Sequence, residues 1–292
     1  MTRKTNITTL ITDADNTLYS WVDYIVPSLE AMVETLARNT GFERDKIVES
    51  IKRVFEKQRT NEYAFALQEA DIFAELRRDF EWFKHHVVDP ARYAFARSRC
   101  HHRKLYPGVR QTLHQLVDRG VKIIVLSDAP AFSAEQRIKH LGIDHLLSAL
   151  YALRSYPLPR ASAIDQAILN RIKAGYYRSR VGKVVQLPLR FEKPSLEGIQ
   201  FLLAREKFDP ERTALVGDNP KKDIKIAQET GILDIWARYG AQVAPEIRKK
   251  LNYYSAPSIQ KRNVVQEGET VEKPTFTIDR FDEILDILGK ED

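Results

Sequence analysis

Only one cysteine, Cys100, stands among the 292 residues, so no intrachain disulfide can form. That usage suits a reducing compartment. Cys100 is followed by His101 and His102, but a metal site needs further ligands at suitable spacing, and the trio reads as polar residues at a helix end. Long apolar runs are also missing. No stretch approaches the roughly 20 apolar residues of a membrane helix, and Met1–Asn6 is not followed by an apolar segment of signal-peptide length. A cytoplasmic chain with no membrane partner is expected. Internal repeats and low-complexity tracts are lacking too. What is present, 43% hydrophobic and 29% charged residues, is the composition of a globular protein and excludes disordered and fibrous classes.

The net charge of +6 is concentrated rather than spread. Between Arg154 and Lys193 there are nine Lys/Arg against two Asp/Glu. That segment exceeds the net charge of the whole chain, and the remainder is close to neutral. A localised basic stretch attracts polyanions, and Tyr176 and Tyr177 within it suit base stacking. A solvated insertion is the plainer reading.

Hydrophobic period divides the chain. Ile7–Thr12 is short, β-branched and apolar, the pattern of a buried strand. From about residue 22 to 104 the period is helical. Leu29, Met32, Val33 and Leu36 share one face, with Ser28 as a candidate N-cap and Gly41 as a stop. Ile47, Ile51, Val54 and Phe55 share another, and Leu67, Ala70, Phe73 and Leu76 a third. After Pro107-Gly108 strands and helices alternate. Strands are expected at 121–126, 147–153, 184–187, 213–216, 232–236 and 276–278. Helices are expected near 113–117, 134–141, 164–172, 196–204, 223–230 and 281–288. Residues 253–275 have the weakest pattern and read as a loop. Alternating strands and helices predict an α/β protein with a doubly wound parallel sheet. Ligands of such sheets bind beyond the carboxyl ends of the strands.

Chemistry-bearing residues stand at those ends. Asp13 and Asp15, two apart at a strand exit, face the same side in extended geometry. Together they suit a cation, or a division into nucleophile and acid. Ser127 and Asp128 follow the next strand, where a hydroxyl and free amides suit a phosphate oxygen. Lys193 precedes a helix entrance, and a lysine there neutralises phosphate. Gly217, Asp218 and Asp223 follow the strand at 213–216, and paired carboxylates suit magnesium. Each signal alone also fits an ordinary turn or helix cap. Their common place at strand ends, in this order, sets them apart.

Asp13-Ala14-Asp15-Asn16-Thr17-Leu18, Ser127-Asp128, Lys193-Pro194 and Gly217-Asp218 through Asp223 resemble the motifs of the haloacid dehalogenase superfamily, in its phosphatase branch with a helical cap. The resemblance covers about residues 6–18 and 105–237. It implies a Rossmann-like core formed by 1–18 and 105–292, with the basic insertion at 154–192, and an all-helical cap domain at 19–104. It implies a cytoplasmic, Mg2+-dependent phosphatase acting on phosphate monoesters, with Asp13 as nucleophile and Asp15 as acid and base. Thr17 would support the nucleophile loop, and Ser127, Asp128 and Lys193 would line the phosphate site. Asp218 would hold magnesium with Asp13 and the Asp15 carbonyl, and Asp223 would act through water or by orienting Lys193. Relatives often carry Asn where Asp128 stands. An anionic side chain opposes phosphate, so Asp128 is expected to point away and leave its backbone amide for the contact. The carboxylate at Asp15 favours ester hydrolysis over dehalogenation. Tyr19, Trp21 and Tyr24 stand at the cap hinge, where Asn16-Thr17-Leu18-Tyr19 is similar to pyrimidine nucleotidase-like members; the rings serve either base stacking or packing. Three functions compete: hydrolysis of a small phosphate ester such as a nucleotide or sugar phosphate, phosphatase or phosphotransferase action on a macromolecule recruited by the basic insertion, and a nucleic-acid- or protein-binding module that keeps the fold.

Overall fold

A computed structural model of the protein describes residues 7–155, 177–263 and 273–289. The apolar runs form seven strands: β1 (Thr9–Thr12), β2 (Lys122–Pro130), β3 (Ala149–Leu153), β4 (Val184–Leu187), β5 (Thr213–Gly217), β6 (Leu233–Ala237) and β7 (Phe276–Ile278). They make one parallel sheet in the order β4-β3-β2-β1-β5-β6-β7. β1 is buried along its whole length, as a central parallel strand must be. Helices Leu196–Glu206 and Lys225–Glu229 send Ile199, Leu202, Ile226 and Ala227 into a core with Ile11, Leu126, Tyr151 and Leu215. Helices Val109–Asp118 and Ala131–His140 cover the opposite face, with Arg110 donating to the carbonyls of Leu141 and Gly142 to tie them together. This is the expected doubly wound α/β sheet.

Chain order runs outward from β1 in both directions, through β2, β3 and β4 on one side and β5, β6 and β7 on the other. The order therefore reverses at β1, and a crevice forms at the carboxyl ends of strands where it does. Register fixes the depth of each motif. Thr12 pairs with Val125 of β2 and with Val216 of β5. Asp13, Ser127 and Asp218 thus leave three neighbouring strands within one or two residues of a common level.

The chain splits into two compact units. The sheet unit comprises Met1–Leu18, Pro107–Ala237 and Val271–Asp292; the second comprises Tyr19–Tyr106 and Arg238–Thr270. The second unit is helical among its described residues. It takes in residues 238–270, which the sequence reading left with the sheet. The reason is an apolar face. Helix Pro245–Tyr254 buries Leu251 and Tyr254, Arg44 donates to the Tyr254 hydroxyl at 2.9 Å, and buried Asn61 donates to Ser255 at 2.7 Å. The expected loop at 253–275 is in part helix Pro257–Asn263, and its residues 264–272 lie outside the described ones.

Other local expectations also change. The first long helix is Trp21–Thr40, capped by Ser20, whose hydroxyl accepts from Asp23 N–H at 3.2 Å. Ser28 is buried inside that helix, bonded to the Tyr24 carbonyl, and is not the cap. Gly41 does end it, in the left-handed conformation at φ 72° that favours glycine. The expected helix through Leu67–Leu76 breaks into short turns, Ala66–Glu69, Asp71–Phe73 and Leu76–Arg78. Asp71 accepts from Ser50, Arg53 and its neighbour's amide, and these bonds compete with a continued helix. Tyr19, Trp21 and Tyr24 are buried, and the Tyr19 and Tyr24 rings meet with centroids 6.3 Å apart. Cys100, His101 and His102 close helix Asp89–His102 with all three side chains exposed. The expected helix at 164–172, Tyr176 and most of the basic insertion lie outside the described residues; Tyr177 meets the Phe132 ring edge-on. No helix among the described residues is long and apolar enough to cross a membrane.

Candidate active site

Asp13 stands one residue beyond the central strand, its N–H donating to the Val216 carbonyl at 2.9 Å. Ladder pairing thus carries the sheet's rigidity into the first catalytic candidate. The loop then tightens. Leu18 N–H returns to the Ala14 carbonyl at 2.9 Å, and Asn16 takes a left-handed φ of 61°, a conformation asparagine tolerates better than most residues. Thr17 is drawn toward Asp13, and its hydroxyl donates to Asp13 Oδ2 at 3.3 Å.

Lys193 reaches the same carboxylate from the chain that precedes helix Leu196–Glu206. Its Nζ donates to Asp13 Oδ1 and to Asp223 Oδ1, each at 2.6 Å. Burial works to lower the ammonium's pKa, but Asp13 and Asp223 outweigh it and hold it well above the usual lysine range. Burial pushes the Asp13 carboxyl up to about 7 against the pull of Lys193, with Asp223 adding to the rise. Asp218 is raised well above the ordinary carboxylate range, by burial first and then by Asp13 and Asp223. Too much negative charge is therefore buried here for one lysine to balance.

Oxygens of Asp13, Asp218 and Asp223 lie within 4.8 Å of one another, and all three residues are buried. Among the described residues this is the cluster with the spacing of a metal site. An all-oxygen, carboxylate-rich donor set suits a hard divalent cation such as magnesium. The uncompensated charge is what such an ion neutralises, so the residues fit the group.

Gly217 lets this cluster form. A Cβ there would lie 2.2 Å from Asp223 Cγ, which no real contact permits. With Gly217 in place, Asp223 turns one oxygen to Lys193 and accepts the Asn219 N–H at 3.1 Å with the other. Gly217→Ala is expected to push Asp223 away from Lys193 and lower turnover by at least about 10-fold, since misplacement of about 1 Å costs up to 10². Steady-state rates beside thermal unfolding check this; wild-type turnover in the variant would contradict it. Trp236 anchors the same loop, its indole N–H donating to the Asp218 carbonyl at 2.9 Å.

Ser127 is buried at the carboxyl end of β2, and its hydroxyl accepts the Ala129 N–H at 3.1 Å. Asp128 turns to its own partners. Its Oδ1 accepts the Lys193 backbone N–H at 2.9 Å and its Oδ2 the Lys222 ammonium at 2.8 Å. Burial raises its pKa, but Lys222 and Lys193 outweigh that and hold it below the usual range. The side chain thus fastens the Lys193 segment to the loop after β5.

The structure brings Asp13, Thr17, Lys193, Asp218 and Asp223 into one cluster and sets Asp128 behind Lys193. The Asp15 carboxylate is not among the three with metal-site spacing; it is held by Arg137 of helix Ala131–His140, whose Nη1 donates to Oδ1 at 2.8 Å and to Oδ2 at 2.7 Å, while its charge still bears on Asp13. Sequence reasoning missed Arg137 and Lys222. A signal for Arg137 existed: Ala131, Ala134, Arg137 and Ile138 form the buried stripe of that helix, and a charge on such a stripe calls for a partner. Lys222 carried none, standing beside Lys221 in a polar loop.

Phosphoglycolate phosphatase of Haemophilus influenzae strain 86-028NP is 24% identical over 154 residues, 53% of this chain and 54% of that protein. The enzyme of the same name from strain KW20 is 23% identical over 163 residues, 56% and 58% of the two chains. The chain thus spans about half the length of the curated relatives it matches. Among solved structures, a HAD phosphatase from Thermococcus onnurineus shares the fold at a TM-score of 0.54 and 16% identity, over 97% of this chain and 98% of that one. HAD-hydrolase YfnB from Bacillus subtilis, solved bound to magnesium, matches at a TM-score of 0.51 and 15% identity, over 98% and 100%. The model of the haloacid dehalogenase-like hydrolase family matches residues 7–231, a span that contains every residue of the cluster, and the chain belongs to that family.

Proposed function

We propose that the protein is a magnesium-dependent phosphatase that hydrolyses small phosphate monoesters through a covalent intermediate on Asp13. One observation carries the reading: a buried carboxylate at the strand-order reversal is held by an ammonium on one oxygen and stands within 4.8 Å of two further carboxylates. A carboxylate needs such surroundings to approach a phosphate dianion.

The steps follow from the side chains. Asp13 attacks phosphorus, forming an Asp13 O–P bond as the ester P–O bond breaks. Asp15 enters this step as the neutral acid, gives its proton to the departing oxygen, and leaves it as the carboxylate that Arg137 holds. Asp15 then removes a proton from water, whose oxygen attacks the phosphoryl group on Asp13 and releases inorganic phosphate and the free carboxylate. Lys193 lowers the repulsion at both attacks, and the Ser127 hydroxyl with the backbone amides beside it binds phosphoryl oxygens. Asp13, Asp218 and the Asp15 carbonyl would hold magnesium, which supplies charge neutralisation and transition-state stabilisation. Asp223 orients Lys193. The helical unit would serve as the cap that selects the leaving group and excludes water.

Three relatives named phosphoglycolate phosphatase support a small phosphate monoester as the substrate class. Phosphate release from 2-phosphoglycolate, sugar phosphates and nucleotides, with magnesium or with EDTA, tests the reading. Magnesium-dependent release is expected. Release that is unchanged by EDTA would remove the acidic cluster from its role.

Metal binding has a second readout in stability. The Asp13 carboxyl is raised from 3.8 to about 7 in the fold. Between those values the native state binds more protons than the unfolded chain, so stability of the metal-free protein falls as pH rises through that window. Magnesium competes with those protons, so its stabilisation grows over the same range. Thermal unfolding at about pH 5 and about pH 8 should show a larger magnesium-induced rise at the higher pH, by at least about 2 °C. Asp218→Asn should lose most of the rise; an equal rise at both pH values would contradict the account.

A further inference from the structure

Arg137 is a charge in the wrong place for packing. It stands on the buried stripe of helix Ala131–His140 and is only 4% exposed. An apolar side chain would fill that position without desolvating a guanidinium. What the arginine gains there is Asp15. One guanidinium nitrogen contacts both carboxylate oxygens, at 2.8 and 2.7 Å. The Asp15 carboxylate is partly accessible, its side chain 21% exposed against 4% for Arg137, so the pair presents its acidic end outward from a buried base.

The two carboxylates of the Asp13-Ala14-Asp15 segment thus have different cations. Asp13 is held by Lys193. Asp15 follows two residues later, near enough for its charge to bear on Asp13, and without a cation of its own it would be drawn toward Lys193 and the divalent-ion site. Its carboxylate is instead outside the Asp13, Asp218 and Asp223 group. Helix Ala131–His140 follows β2 directly, so the strand that delivers Ser127 also sets the depth of Arg137.

We infer that Arg137 is a positioning residue, which keeps the Asp15 side chain out of the cation cluster and aimed at the leaving oxygen. The inference rests on the roles given above to Asp13 and Asp15. Arg137 is given no contact with the reacting atoms and acts on the reaction through Asp15. Its fixed charge and planar head suit the task better than lysine, whose flexible stem would leave the carboxylate less defined.

Leaving-group chemistry separates this role from a structural one. An alkyl phosphate expels an alkoxide that needs a proton as the bond breaks, whereas 4-nitrophenyl phosphate expels a stabilised phenolate that does not. For Arg137→Met, kcat/KM with the fastest alkyl ester of the substrate panel should fall by about 10²-fold. With 4-nitrophenyl phosphate it should fall by less than about 3-fold. Arg137→Lys should recover part of the loss. In the Asp15→Asn background, Arg137→Met should change the alkyl ester rate by no more than about twofold, because a residue acting through Asp15 has nothing left to position. An equal loss with both esters, or full additivity with Asp15→Asn, would overturn the inference while leaving the Asp13 mechanism in place. Wild-type turnover by Asp13→Asn would instead overturn that mechanism, and the inference with it.

Discussion

Asp13→Asn is expected to lower kcat by at least about 10⁴-fold, the scale on which loss of a nucleophile is felt, with the fold retained. The amide has the shape of the carboxylate but cannot form a stable bond to phosphorus. It also presents a poorer partner to Lys193, whose second contact, Asp223 at 2.6 Å, remains. Stability should not suffer in the metal-free protein. Burial already opposes ionisation of Asp13, with its carboxyl at about 7, so removing that charge relieves the acidic cluster near neutral pH. Rate loss and stability therefore separate, and this separation is what a chemical role predicts. Steady-state phosphate release beside thermal unfolding measures both. Near-wild-type turnover, or unfolding that accounts for the loss, would contradict the assignment.

Lys193→Met is expected to fail in both respects. The thioether matches the length of the lysine stem but leaves Asp13 and Asp223 without their shared ammonium, beside an already raised Asp218. Breaking a buried pair from one side costs about 3–5 kcal/mol. Turnover should fall by about 10²–10³-fold, since a fixed charge at the phosphoryl group is lost. The stability deficit should depend on pH with a definite sign. Protonating the orphaned carboxylates relieves their repulsion, so the deficit should shrink as pH falls and grow as pH rises. Urea unfolding across pH, wild type beside variant, measures it. A deficit independent of pH would show that Lys193 acts through packing alone.

The sheet was legible because each strand is a short apolar run with helical periods between, and β4 and β7 have the expected bounds. The site was legible for a related reason. Parallel sheets place chemistry at strand ends, and Asp13, Ser127 and Asp218 are recognisable from the strands they follow. The Asp128 carboxylate is occupied by the Lys193 N–H and the Lys222 ammonium, contacts made at long range in sequence. Arg137 was hidden because a charged residue in a helix ordinarily reads as a solvated face. Only its spacing from Ala134 and Ile138 marks it as inward. Ser28 misled because serine suits an N-cap, while Ser20, eight residues earlier, does the capping, and Pro27 is tolerated inside the helix. Residues 238–270 group with the helical unit rather than with the sheet, because sequence proximity to β6 says nothing of where the apolar face of helix Pro245–Tyr254 is buried. Among the described residues, the fold and the acidic cluster depend on local pattern. The second layer of contacts depends on which elements meet, and periodicity does not encode that.

The covalent intermediate is the centre of the account, and trapping it is the most direct test. Enzyme turning over 2-phosphoglycolate, or the best ester of the panel, would be quenched with borohydride, digested, and the peptide containing residue 13 examined by mass spectrometry. An acyl phosphate on Asp13 is reduced to homoserine, whereas a free carboxylate is not. Homoserine at position 13, dependent on ester and magnesium and absent from Asp13→Asn, is the result predicted. Unmodified Asp13 under conditions of steady turnover, or reduction at another carboxylate, would contradict it.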